Sequence, residues 1–90
     1  MGTVVVKIKI MPASLETDIK KIEEETKKIL VKNKVENFKF EIHPIAFGLK
    51  AIILIFGWPE EKELEGFEEA LKKTSGVGSV SVLDMRRAIG

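Results

Sequence analysis

The hydrophobic residues of this chain alternate with polar ones in three segments and run almost unbroken through a fourth, and each segment predicts a β-strand. Apolar side chains at every second position bury one side of a strand and leave the other side in solvent. The second segment carries charges on its polar side, which is typical of an edge strand, whereas the nearly unbroken third segment is expected in the middle of a sheet. The predicted strands are 3–10, 38–43, 49–56 and 79–85, and Pro12, Pro44 and Gly57 are predicted to end the first three.

Two further segments repeat apolar residues at intervals of three and four, which predicts amphipathic helices. The first helix is expected over about 18–31, with Thr17 as its N-cap and Asp18 in the first turn, where a negative charge suits the helix dipole. The second helix is expected to start at Pro59, followed by two glutamates, and to end at Gly76.

The predicted elements follow the order βαββαβ. Crossover connections are right-handed, and the short link between the second and third strands makes these two strands neighbours. The order therefore predicts an α+β fold of the ferredoxin-like type: a four-stranded antiparallel sheet with two helices on one face and with the first and third strands central. No internal linker or repeat interrupts the chain, so residues 1–90 are expected to form one domain.

Composition and charge argue against several classes of function. The chain has 15 Lys and Arg residues against 14 Asp and Glu, so a formal net charge of +1 creates no overall field that favours nucleic acid or an anionic membrane. Cysteine is absent, which excludes a disulfide scaffold, a thiolate zinc site and a thiol nucleophile. No apolar run approaches the roughly 20 residues of a membrane span. We expect a cytoplasmic protein that binds neither nucleic acid nor a membrane directly.

No group of residues predicts catalysis, a metal site or a bound cofactor. General acid–base catalysis needs titratable groups brought together, yet the sequence marks no partner for the single histidine, His43. Gly76-Val77-Gly78 is only superficially like a phosphate-binding loop, because it precedes a strand instead of a helix. A helix C-cap and a tight turn are expected there, and Trp58 is expected to pack as a cap beside the second helix. We therefore expect a protein that is not an enzyme.

The connection between the second and third strands is longer and more apolar than a hairpin turn requires. It consists of Pro44, Ile45, Ala46, Phe47, Gly48 and Leu49. Under one interpretation its apolar side chains fold back over the sheet. Under the other, Phe47 is an exposed aromatic anchor that fills a pocket on a partner.

The only two arginines of the chain are consecutive, Arg86 and Arg87, after the last predicted strand. A planar guanidinium grips a phosphate or a carboxylate through two parallel N–H groups, which lysine does not match. Two cations near a chain end also occur simply as solvated charges. Both interpretations are open from these residues alone.

Three segments resemble the archaeal translation elongation factor 1-beta family: VKIKIMP at 6–12, PIAFGLK at 44–50, and GVGSVSV at 76–82 together with MRR at 85–87. The resemblance covers the whole chain in order. Members of this family have a ferredoxin-like fold and exchange GDP for GTP on elongation factor 1-alpha, the GTPase that delivers aminoacyl-tRNA to the ribosome. The resemblance thus implies an exchange factor that makes and breaks no covalent bond.

The resemblance also implies roles for individual residues. The loop aromatic of the family, which docks beside the nucleotide site of the GTPase, matches Phe47. In related eukaryotic domains a lysine near the C-terminus reaches the magnesium site, and its position matches Arg87, with Arg86 as the alternative. In this chain 88–90 follow where the eukaryotic chain nearly ends. The implied partner-binding residues are Pro44, Ile45, Ala46, Phe47, Gly48, Arg86 and Arg87.

One other class of function shares the βαββαβ order, namely a small-molecule-sensing regulatory domain of the ACT type. Such a domain would normally dimerise and hold an amino acid at the interface, whereas the exchange factor is expected to be a monomer. An acylphosphatase is a more distant alternative, because its helix-starting phosphate loop has no match between Met11 and Asp18.

Overall fold

The strands pair in the order that the sequence predicts. The computed structural model describes residues 2–87, so Met1 and residues 88–90, including the extension beyond the arginines, lie outside the described residues. The sheet is antiparallel with the strand order β2-β3-β1-β4, which confirms the ferredoxin-like fold and its two central strands. The elements are β1 (Thr3–Pro12), α1 (Ile19–Lys32), β2 (Phe38–Pro44), β3 (Lys50–Pro59), α2 (Glu65–Lys72) and β4 (Val77–Arg87).

The core lies between the two helices and one face of the sheet. Because side chains alternate along a strand, every second residue of the central strands faces the helices. The opposite face of the sheet, which we call the open face, carries Lys7 and Lys9 of β1 beside Ile55 and Ile53 of β3. The buried core residues of the central strands and helices are Val6, Ile8, Ile10, Ile52, Leu54, Phe56, Trp58, Ile22, Leu30, Phe67 and Leu71.

β3 continues beyond the glycine that was predicted to end it. Trp58 pairs with Val4 of β1, and the N–H of Glu60 donates to the carbonyl of Gly2 at 2.9 Å, so the ladder extends past Pro59. The tryptophan is only 1% exposed and belongs to the core instead of capping a helix. The predicted start of α2 at Pro59 is therefore wrong, since a strand that delivers Trp58 into the core leaves the helix to begin at Glu65.

Asp18, not Thr17, caps α1. The Oδ1 atom of Asp18 accepts hydrogen bonds from the backbone N–H groups of Lys20 at 3.0 Å and of Lys21 at 3.4 Å. The hydroxyl of Thr17 instead accepts the N–H of Ser14 at 3.2 Å, within the loop before the helix. Both residue types are good caps, so the backbone path into the helix decided between them.

The Asp18→Ala substitution should lower the free energy of unfolding by about 1 kcal/mol, because it leaves two N–H groups of the first turn without their acceptor. Urea unfolding monitored by circular dichroism measures this loss. Glu16→Ala, at an exposed position before the helix, is the control and should change the free energy by less than about 0.5 kcal/mol. Equal losses in the two variants would contradict the assignment of the cap.

The start of β4 needs two glycines, although neither caps α2. The helix ends at Lys72 with Lys73 as its C-cap, so Gly76 lies in the turn that follows, with a φ of 89° that favours glycine. At Gly78 a Cβ atom would lie 2.9 Å from the carbonyl oxygen of Pro12. The expected turn is thus present, but the predicted helix C-cap at Gly76 is wrong.

Candidate functional site

The loop between β2 and β3 presents an aromatic ring to solvent. Phe47 is 90% exposed, whereas Ile45 and Leu49 on either side of it are half-buried. The loop is closed by its own backbone, since the N–H of Ile45 donates to the carbonyl of Leu49 at 2.8 Å and the N–H of Leu49 donates to Ala46 at 3.3 Å. The interpretation in which Phe47 folds back over the sheet is therefore wrong.

The backbone of Phe47 lies in the left-handed region, with φ 63° and ψ 28°. This conformation is uncommon for any residue with a Cβ atom and costs about 1–2 kcal/mol relative to glycine. Burial of the ring does not offset the cost, because the ring is exposed. A strained and exposed phenylalanine is the kind of outlier from which a binding role is inferred.

Leu15, which sequence reasoning missed, extends the apolar surface beside this loop. It lies in the β1–α1 connection, is 65% exposed, and has its Cδ2 atom 3.5 Å from the point that a Cβ of Gly48 would occupy. A cleft of about 270 Å³ lies between the two connections. The only signal in the sequence was a single leucine within the polar segment 13–18. The residues that line the cleft are Pro12, Ser14, Leu15, Thr17, Ile19, Gly48, Leu49 and Lys50.

The two arginines lie within β4 and not beyond it, and both are exposed. Arg86 pairs with Val5 and Arg87 with Val4, so consecutive guanidinium groups leave the strand on opposite faces. Each arginine forms an ion pair with a carboxylate: Arg86 with Asp84 and Arg87 with Glu60.

The structure does not bring Phe47 and the arginines together. Lys50, next to the loop, and Trp58, level with Arg87 across β1, lie at opposite ends of β3. Their separation along the strand is roughly 26 Å at about 3.3 Å per residue. We therefore distinguish a loop end, formed by 45–49 and Leu15, from an arginine end, formed by Arg86 and Arg87.

His43 belongs to an exposed ion-pair group on the edge strand β2. Its Nε2 atom lies 3.0 Å from one carboxylate oxygen of Glu41, and Nζ of Lys39 lies 3.2 Å from the other. The hydrogen bond with His43 has the largest effect on the pKa of Glu41, followed by the hydrogen bond with Lys39. Together they lower this pKa below its ordinary value. A lowered folded-state pKa stabilises the fold above the ordinary value for glutamate, and this contribution is lost as the pH falls through the folded-state pKa. The geometry is that of a surface ion-pair group.

Within residues 2–87 there is neither a metal-binding cluster nor a membrane-spanning helix. No group of three or more His, Cys, Asp or Glu side chains in this range is arranged to hold a metal ion. No helix in the same range combines the length and apolar character needed to cross a bilayer.

Comparison with known proteins places the whole folded region in one family. A family model described as the EF-1 guanine nucleotide exchange domain matches residues 5–88. Among curated relatives, elongation factor 1-beta of Methanosarcina acetivorans is 43% identical over 88 residues, which cover 97% of this chain and 99% of the relative. The proteins of the same name from Archaeoglobus fulgidus and Nanoarchaeum equitans are 38% and 35% identical, over 94% and 90% of this chain and 97% and 100% of their own lengths. These matches cover both the loop end and the arginine end, and none of them favours the ACT alternative.

Proposed function

Because this chain belongs to the family of EF-1 guanine nucleotide exchange domains, we propose that it promotes the exchange of GDP for GTP on elongation factor 1-alpha. The exchange regenerates the GTP-bound form that binds aminoacyl-tRNA. The structural observation that carries this proposal is the strained and exposed Phe47, since a folded domain gains nothing from such a residue unless a partner covers it.

An exchange factor acts as a ligand and not as a catalyst of a covalent step. It binds the nucleotide-free GTPase more tightly than the loaded form, and thermodynamic reciprocity then requires that it weaken nucleotide binding by the same factor. Such a protein needs contact surfaces and no acid–base pair, which agrees with the exposed setting of His43. We propose that the chain is not an enzyme and that it works in the cytoplasm as a monomer.

The loop end and the arginine end have different roles in exchange, one in affinity for the GTPase and the other in release of the nucleotide. Residues roughly 26 Å apart along a strand contact separate regions of a GTPase, so Phe47 and the arginines do not both reach one phosphate or one Mg²⁺. We assign Phe47 to affinity, because an aromatic ring in a partner's pocket is a typical binding hot spot. We assign the arginine end to nucleotide release, because a guanidinium competes for the phosphate oxygens that Mg²⁺ otherwise bridges.

The test is release of a fluorescent GDP analogue from elongation factor 1-alpha of Methanosarcina acetivorans. Addition of this protein, with excess unlabelled GDP present, should accelerate release in a way that saturates with its concentration. The same protein added after thermal unfolding is the control. No acceleration at saturating concentration would overturn the proposed function.

The ACT alternative is tested with the isolated protein. A dimer in sedimentation experiments together with a thermal shift on addition of amino acids would favour ligand sensing and overturn the proposed monomer. We expect a monomer whose unfolding temperature is unchanged by amino acids.

A further inference from the structure

A β-bulge in β4 determines which way Arg86 points. Ile8 of β1 pairs with Val82, but Lys7 pairs with Asp84, so Leu83 is an extra residue in β4. A bulge of this kind moves every later side chain to the other face of the sheet. With a continuous register Arg86 would lie opposite Val4 and face the helix side, whereas it lies opposite Val5 on the open face.

Asp84 connects this bulge to the guanidinium of Arg86. One carboxylate oxygen, Oδ1, accepts the backbone N–H of Met85 at 2.9 Å, two residues after the extra residue. The other, Oδ2, lies 2.8 Å from Nε of Arg86 in an ion pair. The side chain of Asp84 therefore contacts both the backbone beside the bulge and the Nε atom of Arg86.

The contact through Nε leaves the outer edge of Arg86 available. The side chain is 81% exposed, and within residues 2–87 the ion pair with Asp84 is its only one. A guanidinium binds phosphate or carboxylate in bidentate fashion through parallel N–H groups, and the two terminal nitrogens form such a pair. The two terminal nitrogens of Arg86 are thus available to bind an anion at the arginine end.

Arg87 is held differently, although it is the neighbouring residue. Its terminal nitrogen Nη2 contacts the carboxylate of Glu60, which follows β3. An anion that binds this terminal nitrogen competes with Glu60 for it. The two arginines are therefore not equivalent, and the structure distinguishes them by which nitrogen each one uses within the fold.

We propose that Asp84 is a positioning residue that orients Arg86, and that the terminal nitrogens of Arg86 are the group that this domain offers to an oxyanion at the nucleotide site of its GTPase. The inference rests on the proposed function and deepens it. An arginine that is ordered before binding loses less rotamer freedom when the complex forms, so the carboxylate favours the bound geometry although its charge opposes an incoming anion.

A double-mutant cycle with nucleotide release as the readout tests this coupling. Arg86→Ala should lower the maximal rate of GDP release by about tenfold or more, and Asp84→Asn by about threefold. If Asp84 acts through Arg86, then Asp84→Asn should cost nothing further in the Arg86→Ala background. Equal losses in both backgrounds, or a silent Arg86→Ala beside a strongly impaired Arg87→Ala, would overturn the proposal.

Matched controls separate positioning from structure. Glu60→Gln makes the same acid-to-amide change beside the other arginine and should leave release unchanged. Asp84→Asn keeps an oxygen that can accept the N–H of Met85, so its urea midpoint should remain at the wild-type value. Binding of the variants to nucleotide-free GTPase identifies the oxyanion: affinity lost with Arg86→Ala indicates a carboxylate of the GTPase, and unchanged affinity indicates a phosphate of the nucleotide.

A measurement on the isolated protein keeps the positioning inference separate from the exchange function. The NMR order parameter of the Arg86 Nε–Hε group should fall in Asp84→Asn, while that of Arg87 stays constant. An unchanged order parameter for Arg86 would overturn the positioning role. If wild-type protein failed to accelerate release while the order parameter fell as expected, the exchange function would be wrong and the orientation of Arg86 by Asp84 correct.

Discussion

Replacing Phe47 with alanine should raise the concentration of this protein needed for half-maximal GDP release by about thirtyfold or more, while its free energy of unfolding stays within about 0.5 kcal/mol of wild type. The ring is 90% exposed, so its removal takes almost no buried surface from the fold. In the proposed complex the same ring fills a pocket, and its loss removes a hot spot. The maximal rate should fall less, because the arginine end is unchanged.

Two further variants make this prediction specific. Val31→Ala removes an apolar side chain that is 68% exposed on α1, and it should change neither the half-maximal concentration nor the stability. Phe47→Asn introduces a residue that tolerates the left-handed backbone, so it should match or slightly exceed wild type in stability while losing affinity. A half-maximal concentration that is unaffected by Phe47→Ala would show that the loop end takes no part in binding.

Replacing Trp58 with alanine should lower the free energy of unfolding by about 3–5 kcal/mol. This loss is a large part of the roughly 5–15 kcal/mol that stabilises a typical domain. The indole ring is 1% exposed, and its centroid lies 5.8 Å from the ring of Phe56 and 5.1 Å from that of Phe67. Its Nε1 also donates to the carbonyl of Lys62 at 2.9 Å, which fixes the turn before α2.

Urea unfolding followed by circular dichroism measures the loss of free energy of unfolding in Trp58→Ala, and two further variants provide the comparison. Trp58→Phe keeps a ring in the core but leaves the carbonyl of Lys62 without its donor, so it should cost about 1–3 kcal/mol. Leu15→Ala removes an exposed apolar side chain and should cost less than about 0.5 kcal/mol. A loss below about 1 kcal/mol for Trp58→Ala would mean that the indole ring is not part of the core.

The order of the elements and the two central strands followed from the sequence alone. Hydrophobic periodicity is a local property, and it separates strands from helices before any tertiary contact forms. The apolar character of 49–56 predicted a central strand because only a strand between two others is shielded by its neighbours. The family resemblance was equally readable, since it depends on short segments and not on their arrangement.

Tertiary structure decided where the elements end, and it did so through pairing. Gly57 predicts the end of a strand and Pro59 predicts the start of a helix, yet β1 pairs Val5 and Thr3 with these two residues and keeps β3 extended. The same holds for the cap of α1, where Thr17 and Asp18 are both suitable N-cap residues and the path of the preceding loop selects Asp18.

The geometry of the candidate site was also beyond the sequence. The antiparallel order predicted for the sheet implies that Phe47 and the arginines lie at its opposite ends, but spacing along the chain did not show the register that sets their distance, which the pairing of β4 with β1 determines. Nor did it show that Leu83 forms a bulge, since a register shift depends on both strands and not on either one. The sequence by itself therefore determined the order of the elements and the resemblance to a family, because both depend on local patterns. The tertiary structure alone decided that Phe47 is exposed, that Arg86 and Arg87 face opposite sides of the sheet, and that of the two only Arg86 keeps its terminal nitrogens out of the ion pairs within residues 2–87.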